Sequence, residues 1–261
     1  MRFGSLFAGI GGFDLGFERC GFTAAWQVEC DKHKINVLEK HWPNVERWED
    51  VRTCRPEPVD LICGGDPCPC RSKARGNRPN RPSKHPDLSG YFLAVVARLR
   101  PRWVVRENVP APDLKYFSAS LEELGYRVTG WLFDSRYFTG QSRRREYLIA
   151  STCSRASYSI YRSIPIRERD SRNRKTVGEE AEAVAACLTA GGKRYSAEDS
   201  YVYEAGIGLR CLSAEECESL QGFPRGWTAG FSERRRRAMC GEAVTVPIVE
   251  FIGQCIREVN P

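Results

Sequence analysis

The chain has 261 residues, a net charge of +7, and is 41% hydrophobic and 28% charged. At ~150 residues per domain this is one to two domains, enough to bury roughly 70–75% of the unfolded surface without disulfide or metal staples. Ordinary Gly and Pro content excludes collagen-like and broadly disordered chains. The lack of an apolar run of roughly 18 residues argues against a transmembrane helix. A start that turns glycine-rich at Gly4 and Gly9 argues against a signal peptide, and the expectation is a soluble intracellular protein.

In chain order, 3–8 reads as a strand, followed by a glycine turn and a helix over 13–20. A second strand covers 24–29. Residues 32–41 carry apolar side chains at helical spacing (Ile35, Leu38) and stop at Pro43. The run 59–63 is a short apolar strand ending in Gly64-Gly65, 88–100 a helix stopped by Pro101, and 103–105 a strand. Residues 116–124 are helical with Gly125 as cap, and 127–133 and 146–150 complete the strands. Strands alternating with helices predict an α/β fold with a mostly parallel sheet covered on both faces, and ligands beyond the carboxyl ends of its strands. From 151 to about 209 the rhythm breaks into Ser, Arg, Gly and Tyr, with one helical stretch over 178–188. Ser213 is a good N-cap with Glu216 three residues on, and the last 20 residues read as strand and helix.

Twelve cysteines do not form a disulfide pattern in so long and charged a chain. Cys63, Cys68 and Cys70 cluster without a CxxC partner, and His33 and His41 lie on another segment, so no metal site is expected. Most cysteines are expected reduced and buried. Three basic runs stand out: 71–84, with six cations and no acid, 162–175, and Arg234 to Arg237. They suit a solvated surface or a polyanionic partner; their placement in loops favours the latter.

The first glycine turn, Phe7-Ala8-Gly9-Ile10-Gly11-Gly12-Phe13-Asp14, has Asp14 where a pyrophosphate fingerprint wants glycine. An adenosine ligand without phosphate suits it better, with Glu29 at the end of the second strand accepting from ribose hydroxyls. Tight packing beside a surface Glu is the alternative. Further strand ends carry Gly64-Gly65-Asp66-Pro67-Cys68 and Glu107-Asn108-Val109, then come Gln141-Ser142-Arg143-Arg144-Arg145, Leu220-Gln221-Gly222-Phe223-Pro224 and Gly241-Glu242-Ala243-Val244.

With these motifs in this order the chain resembles the cytosine-C5 DNA methyltransferases over nearly its whole length. FAGIGG is similar to the cofactor loop, GGDPC to the nucleophile motif and ENV to the acid motif. QSRRR is similar to QxRxR, RCLSAEECESLQGFP to RxLTxxExxRLQGFP and GEAV to GNAV. The resemblance implies a Rossmann-like, doubly wound class I methyltransferase fold over 1–150, completed by 238–261, with a small irregular target-recognition domain over 151–237. It implies S-adenosylmethionine as donor and double-stranded DNA as substrate. Cys68 would add to cytosine C6, because C5 alone is too poor a nucleophile, while Glu107 holds the ring at N3 and Arg143 and Arg145 support the flipped base. Phe7, Gly9, Gly11, Glu29, Asp50, Pro67, Leu88, Glu242 and Ala243 would line the donor pocket. Arg71, Lys73, Arg75, Arg78 and Gln141 would face DNA.

Pro69 and Arg71 replace the usual Gln and Phe, Cys70 adds a second thiol near the nucleophile, and Glu242 replaces the Asn of GNAV. Glu242 would bond the donor's ammonium or repel its carboxylate. The resemblance also admits an RNA cytosine-C5 methyltransferase of the same fold, or a catalytically silent DNA-binding relative. The remaining expectations are a monomer without membrane association, in the cytoplasm of a bacterial host, nucleoid-associated or phage-encoded, in a restriction-modification setting.

Overall fold

The computed structural model describes residues 1–67, 87–110, 114–153, 188 and 201–259. Seven strands form one sheet: β1 (Arg2–Leu6), β2 (Thr23–Val28), β3 (Glu46–Trp48), β4 (Leu61–Gly64), β5 (Trp103–Asn108), β6 (Arg127–Asp134) and β7 (Arg144–Ser151). Their order is β3-β2-β1-β4-β5-β7-β6. The first five are parallel, and β7 runs antiparallel to both β5 and β6. Strand order reverses between β1 and β4, so the loops leaving these two strands flank the crevice where doubly wound sheets bind ligands.

Side chains alternate between two cores, one on each face. Leu61, Cys63, Trp103 and Val105 join the first, while Ile62 and Val104, between them in sequence, join the second. Helices α1 (Gly12–Arg19) and α7 (Val246–Glu258) cover the first face, and α3 (Ser89–Leu99) and α4 (Leu114–Glu123) the second. Helix α2 (Lys32–His41) follows β2, its N-terminus capped by Asp31, which accepts from His33 N and Lys34 N. Helix α5 (Ala214–Gln221) begins with the expected capping box of Ser213 and Glu216, and α6 (Glu233–Glu242) precedes α7.

The expected strands and helices are present, with two differences in the first 150 residues and one near the C-terminus. β3 is a polar three-residue edge strand with no readable period. The β6–β7 pair is a hairpin, since the connection over 135–143 is too short for a crossover helix. The expected C-terminal strand is instead the start of α7: Val244, Val246 and Ile248 alternate like a strand, but Pro247 sits in a first helical turn, where its missing N–H is harmless. The stretch 233–258 is long enough for a membrane span and contains one window apolar enough, yet 72% of that window is buried in the molecule, as in a core helix.

Leu212, Cys217, Phe223 and Trp227 share the first core with Ile10, Phe13 and Val244, so the described residues from 212 onward pack on the catalytic body. The helix expected over 178–188 lies outside the described residues except for Leu188. Among the described residues no disulfide occurs, and burial pushes the thiols of Cys20 and Cys217 up to about 11 and about 12.

Candidate active site and cofactor pocket

Two clusters of polar groups flank the switch point. On the β1 side, the loop 7–12 turns through left-handed backbone at Gly9 (φ 61°) and Gly11 (φ 82°). A side chain on Gly11 would also collide with Trp42, 2.3 Å from the position of a Cβ, so glycine is required twice over. Phe7, a non-glycine residue at φ 54°, carries strain of the kind that collects at ligand-binding loops. The loop is held from outside by Trp227, whose Nε1–H donates to Ile10 O at 2.8 Å and whose indole stacks on His41.

Glu29, 8% exposed, closes this loop from the end of β2. Its Oε2 accepts from Gly9 N at 2.8 Å, and its Oε1 from Cys30 N and Asp31 N at 2.9 Å each. Three of roughly four acceptor sites are thus filled, leaving capacity for one further donor. Asp50 follows β3 and accepts from Arg52 through both oxygens, which holds its carboxyl below the usual range. Leu88 precedes α3 and packs on the second core with Phe7. Beneath the loop lies a polar relay: Arg47 Nε donates to Gln27 Oε1 at 2.9 Å, and Gln27 Nε2 to Asp14 Oδ1 at 2.8 Å. Burial raises the Asp14 pKa to about 6.

On the β4 side, the turn Gly65-Asp66-Pro67 is clamped to β5. Asp66 forms a two-pronged ion pair with Arg106, Nη2 to Oδ2 at 2.8 Å, both side chains 1% exposed. The Arg106 guanidinium also lies 4.1 Å above the Phe117 ring. Asn108 Nδ2 donates to Asp66 O at 3.2 Å, while its Oδ1 accepts from Val109 N. Two residues of β5 thus fix the turn that leads into Cys68.

Glu107, between these two anchors, points back at the turn: a Cβ on Gly65 would lie 3.1 Å from its Oε2. Its Oε1 is 3.1 Å from Arg145 Nε, a charge contact rather than an aligned hydrogen bond, so the carboxylate keeps acceptor capacity. Arg145 therefore reaches the acid. Arg143 does not. Its Nη1 donates to Gly241 O at 3.0 Å and Leu188 O at 3.1 Å, and its Nη2 to Ala243 O at 3.0 Å, tying β7 to the end of α6. Gln141 is a second correction: it is 0% exposed, donates to Leu220 O and accepts from Leu188 N, and so is an internal strut rather than a DNA contact. The polar QSRRR string reads as ligand-facing because its partners lie far away in sequence.

Arg210 and Glu216 explain another motif without ligand chemistry. Arg210 grips Glu216 through both nitrogens at 2.8 and 2.9 Å, which lowers the Glu216 pKa to about 2 while Glu216 caps α5. Glu218, missed in the sequence, is fully buried and accepts from Thr228, Gly226 and Arg236, folding the loop over 222–232. Glu242 pairs with Lys34. Cys68, Cys70, Pro69, Arg71, Lys73, Arg75 and Arg78 lie outside the described residues.

A glycine loop and carboxylate stand on one side of the switch point, and an acid and arginine on the other, within a fold of the class I methyltransferase type. The family described as C-5 cytosine-specific DNA methylase matches residues 1–203 and 156–258, and the chain belongs to it. Type II methyltransferase M2.BsuMI of Bacillus subtilis is 26% identical over 97% of this chain and 75% of its own length. M.MspI of Moraxella is 24% identical over 98% and 70%. The crystal structure of S. pombe Dnmt2 methyltransferase shares the fold, with a TM-score of 0.75, 14% identity and full coverage of both chains. The chain is thus a DNA cytosine-C5 methyltransferase.

Proposed function

We propose that the chain methylates C5 of a flipped cytosine in double-stranded DNA, with Cys68 as nucleophile and Glu107 as the acid that holds N3. The observation that carries this is the position of the Glu107 carboxylate, set by Arg145 and facing the clamped turn that runs directly into Cys68. The Cys68 thiolate adds to C6 and makes C5 nucleophilic, and Glu107 stabilises the charge that develops on the ring. After methylation a base, water or hydroxide, takes the C5 proton and the sulfur leaves as thiolate, restoring the ring and the nucleophile. Arg145 keeps Glu107 oriented. Arg143 acts one step removed, as a positioning residue for the segment 241–243.

S-adenosylmethionine supplies the methyl group when bound. Phe7, Gly9 and Gly11 would bring the loop backbone up to it, and Glu29 would accept from a ribose hydroxyl. Asp50 would meet the adenine amino group while keeping Arg52, and Leu88, Pro67 and Ala243 would complete the walls. The strained Phe7 backbone and the unfilled capacity of Glu29 support this fit.

The domain division that fits the packing is a catalytic body of 1–150 with 212–259, and target recognition between them. Arg71, Lys73, Arg75 and Arg78 would hold the phosphate backbone, offsetting the few kcal/mol that base flipping costs. The likeness to type II methyltransferases supports a bacterial restriction-modification setting, in the compartment that holds DNA. Labelled S-adenosylmethionine offered with duplex DNA or tRNA tests the reading. Label should enter cytosine of the duplex, and none should enter with Cys68→Ala. Label in tRNA alone would reject the DNA assignment.

A further inference from the structure

Lys34, in the first turn of α2, lies with its ammonium 2.6 Å from Glu242 Oε2 at the end of α6. Side-chain exposure is 18% for Lys34 and 50% for Glu242, so the pair sits at an edge that a ligand can reach. Glu29 and Asp31 act on the same ammonium. Burial opposes the lysine's charge, yet Glu29 and Glu242 outweigh it and hold its pKa above the ordinary value. Three carboxylates therefore surround one ammonium, leaving a local excess of negative charge.

The pair belongs to the walls of the donor pocket. Glu29 is bonded to the glycine loop through Gly9 N. The residues after Glu242 lie against the same loop: a Cβ on Gly12 would be 2.6 Å from Val244 Cγ1 and 3.1 Å from Val244 O. Arg143 fixes this segment from its other side through Gly241 O and Ala243 O. Lys34 and Glu242 thus join α2 to the α6–α7 junction beside the loop of residues 7–12. A half-exposed ion pair adds little stability, which leaves its placement here without a purely structural reason.

We infer that Lys34 and Glu242 recognise the zwitterionic α-amino-acid end of the methyl donor, exchanging their mutual ion pair for one contact with each of its charges, Lys34 with the carboxylate and Glu242 with the ammonium. The inference rests on the donor-pocket reading above and adds to it the residues that discriminate among ligands. One ion pair in the free protein becomes two in the complex, and no charge is left unpaired. A neutral Asn at position 242, as in the GNAV pattern, could not make this charge-for-charge exchange.

Calorimetry with three adenosine ligands tests it: S-adenosylmethionine, S-adenosylhomocysteine, and 5′-methylthioadenosine, which lacks the amino-acid end. Lys34→Met and Glu242→Gln should each weaken the first two by about tenfold or more, with 5′-methylthioadenosine kept within about twofold of the unmodified protein. Thermal melts would show that both variants are folded. Unchanged affinity for the two amino-acid-bearing ligands would overturn the inference. Equal loss of all three ligands would overturn it too, as a general pocket defect. If the unmodified protein binds none of the three, the donor-pocket reading itself fails.

Discussion

Replacing Asp66 by Asn removes one charge from the centre of the clamp and almost nothing else. Arg106 would remain 1% exposed with its cation facing a neutral amide, keeping the Phe117 ring and the charge of Glu146 as partly compensating neighbours. Removing one partner of a buried pair costs ~3–5 kcal/mol, and the remaining amide acceptor puts Asp66→Asn near ~3 kcal/mol. Against a total stability of ~5–15 kcal/mol that is a large share, and at ~2–4 °C per kcal/mol it lowers Tm by about 6–12 °C. The same change frees the turn that leads into Cys68, and a shift of ~1 Å in a reacting group can cost ~100-fold in turnover. Differential scanning calorimetry and methyl-transfer rates measure both. An apolar pair, Asp66→Leu with Arg106→Met, separates the two effects: it should recover much of the lost stability while turnover stays low. If Asp66→Asn melts within about 2 °C of the unmodified protein and turns over normally, the clamp does not position the nucleophile.

Glu107→Gln should lower turnover by at least ~100-fold with an unchanged melting temperature; less than ~10-fold would mean another group holds N3. Asp14, with a folded pKa of about 6 against 3.8, contributes stability that is fully present below pH 3.8 and lost as pH rises through 6. Those two units correspond to ~3 kcal/mol, so Asp14→Asn should flatten the fall in Tm over that window and be the more stable form at pH 8; parallel pH profiles would refute this. Replacing Arg75 and Arg78 by Ala should weaken binding to all duplexes alike and reduce the salt slope by about one for each phosphate no longer neutralised. A changed methylation motif with an unchanged slope would instead assign sequence readout to those arginines.

The parts of the fold carried by local periodicity and punctuation were legible in the sequence. Strand β4 ends at its glycine pair, α2 has the expected span, and Ser213 with Glu216 caps α5 as read. Glycine and strain requirements likewise mark the loop of residues 7–12. What escaped depends on partners distant in the chain. Gln141 and Arg143 sit in a string of polar residues, but their roles are set by carbonyls at Leu220, Gly241 and Ala243. The Lys34–Glu242 pair joins opposite ends of the sequence. The packing of the segment after 212 was hidden for a similar reason: Trp227 reaches Ile10, an interaction that no local pattern announces.

The central claim is that Cys68 bonds to C6 of a cytosine brought against Glu107. Duplex DNA whose cytosines carry fluorine at C5 tests it directly, because fluorine cannot leave as a proton and the adduct cannot be resolved. Incubated with S-adenosylmethionine, digested and weighed by mass spectrometry, the protein should carry the modified, methylated nucleotide on the peptide containing Cys68. An adduct on Cys70 alone, or none while ordinary duplex DNA is still methylated, would contradict it.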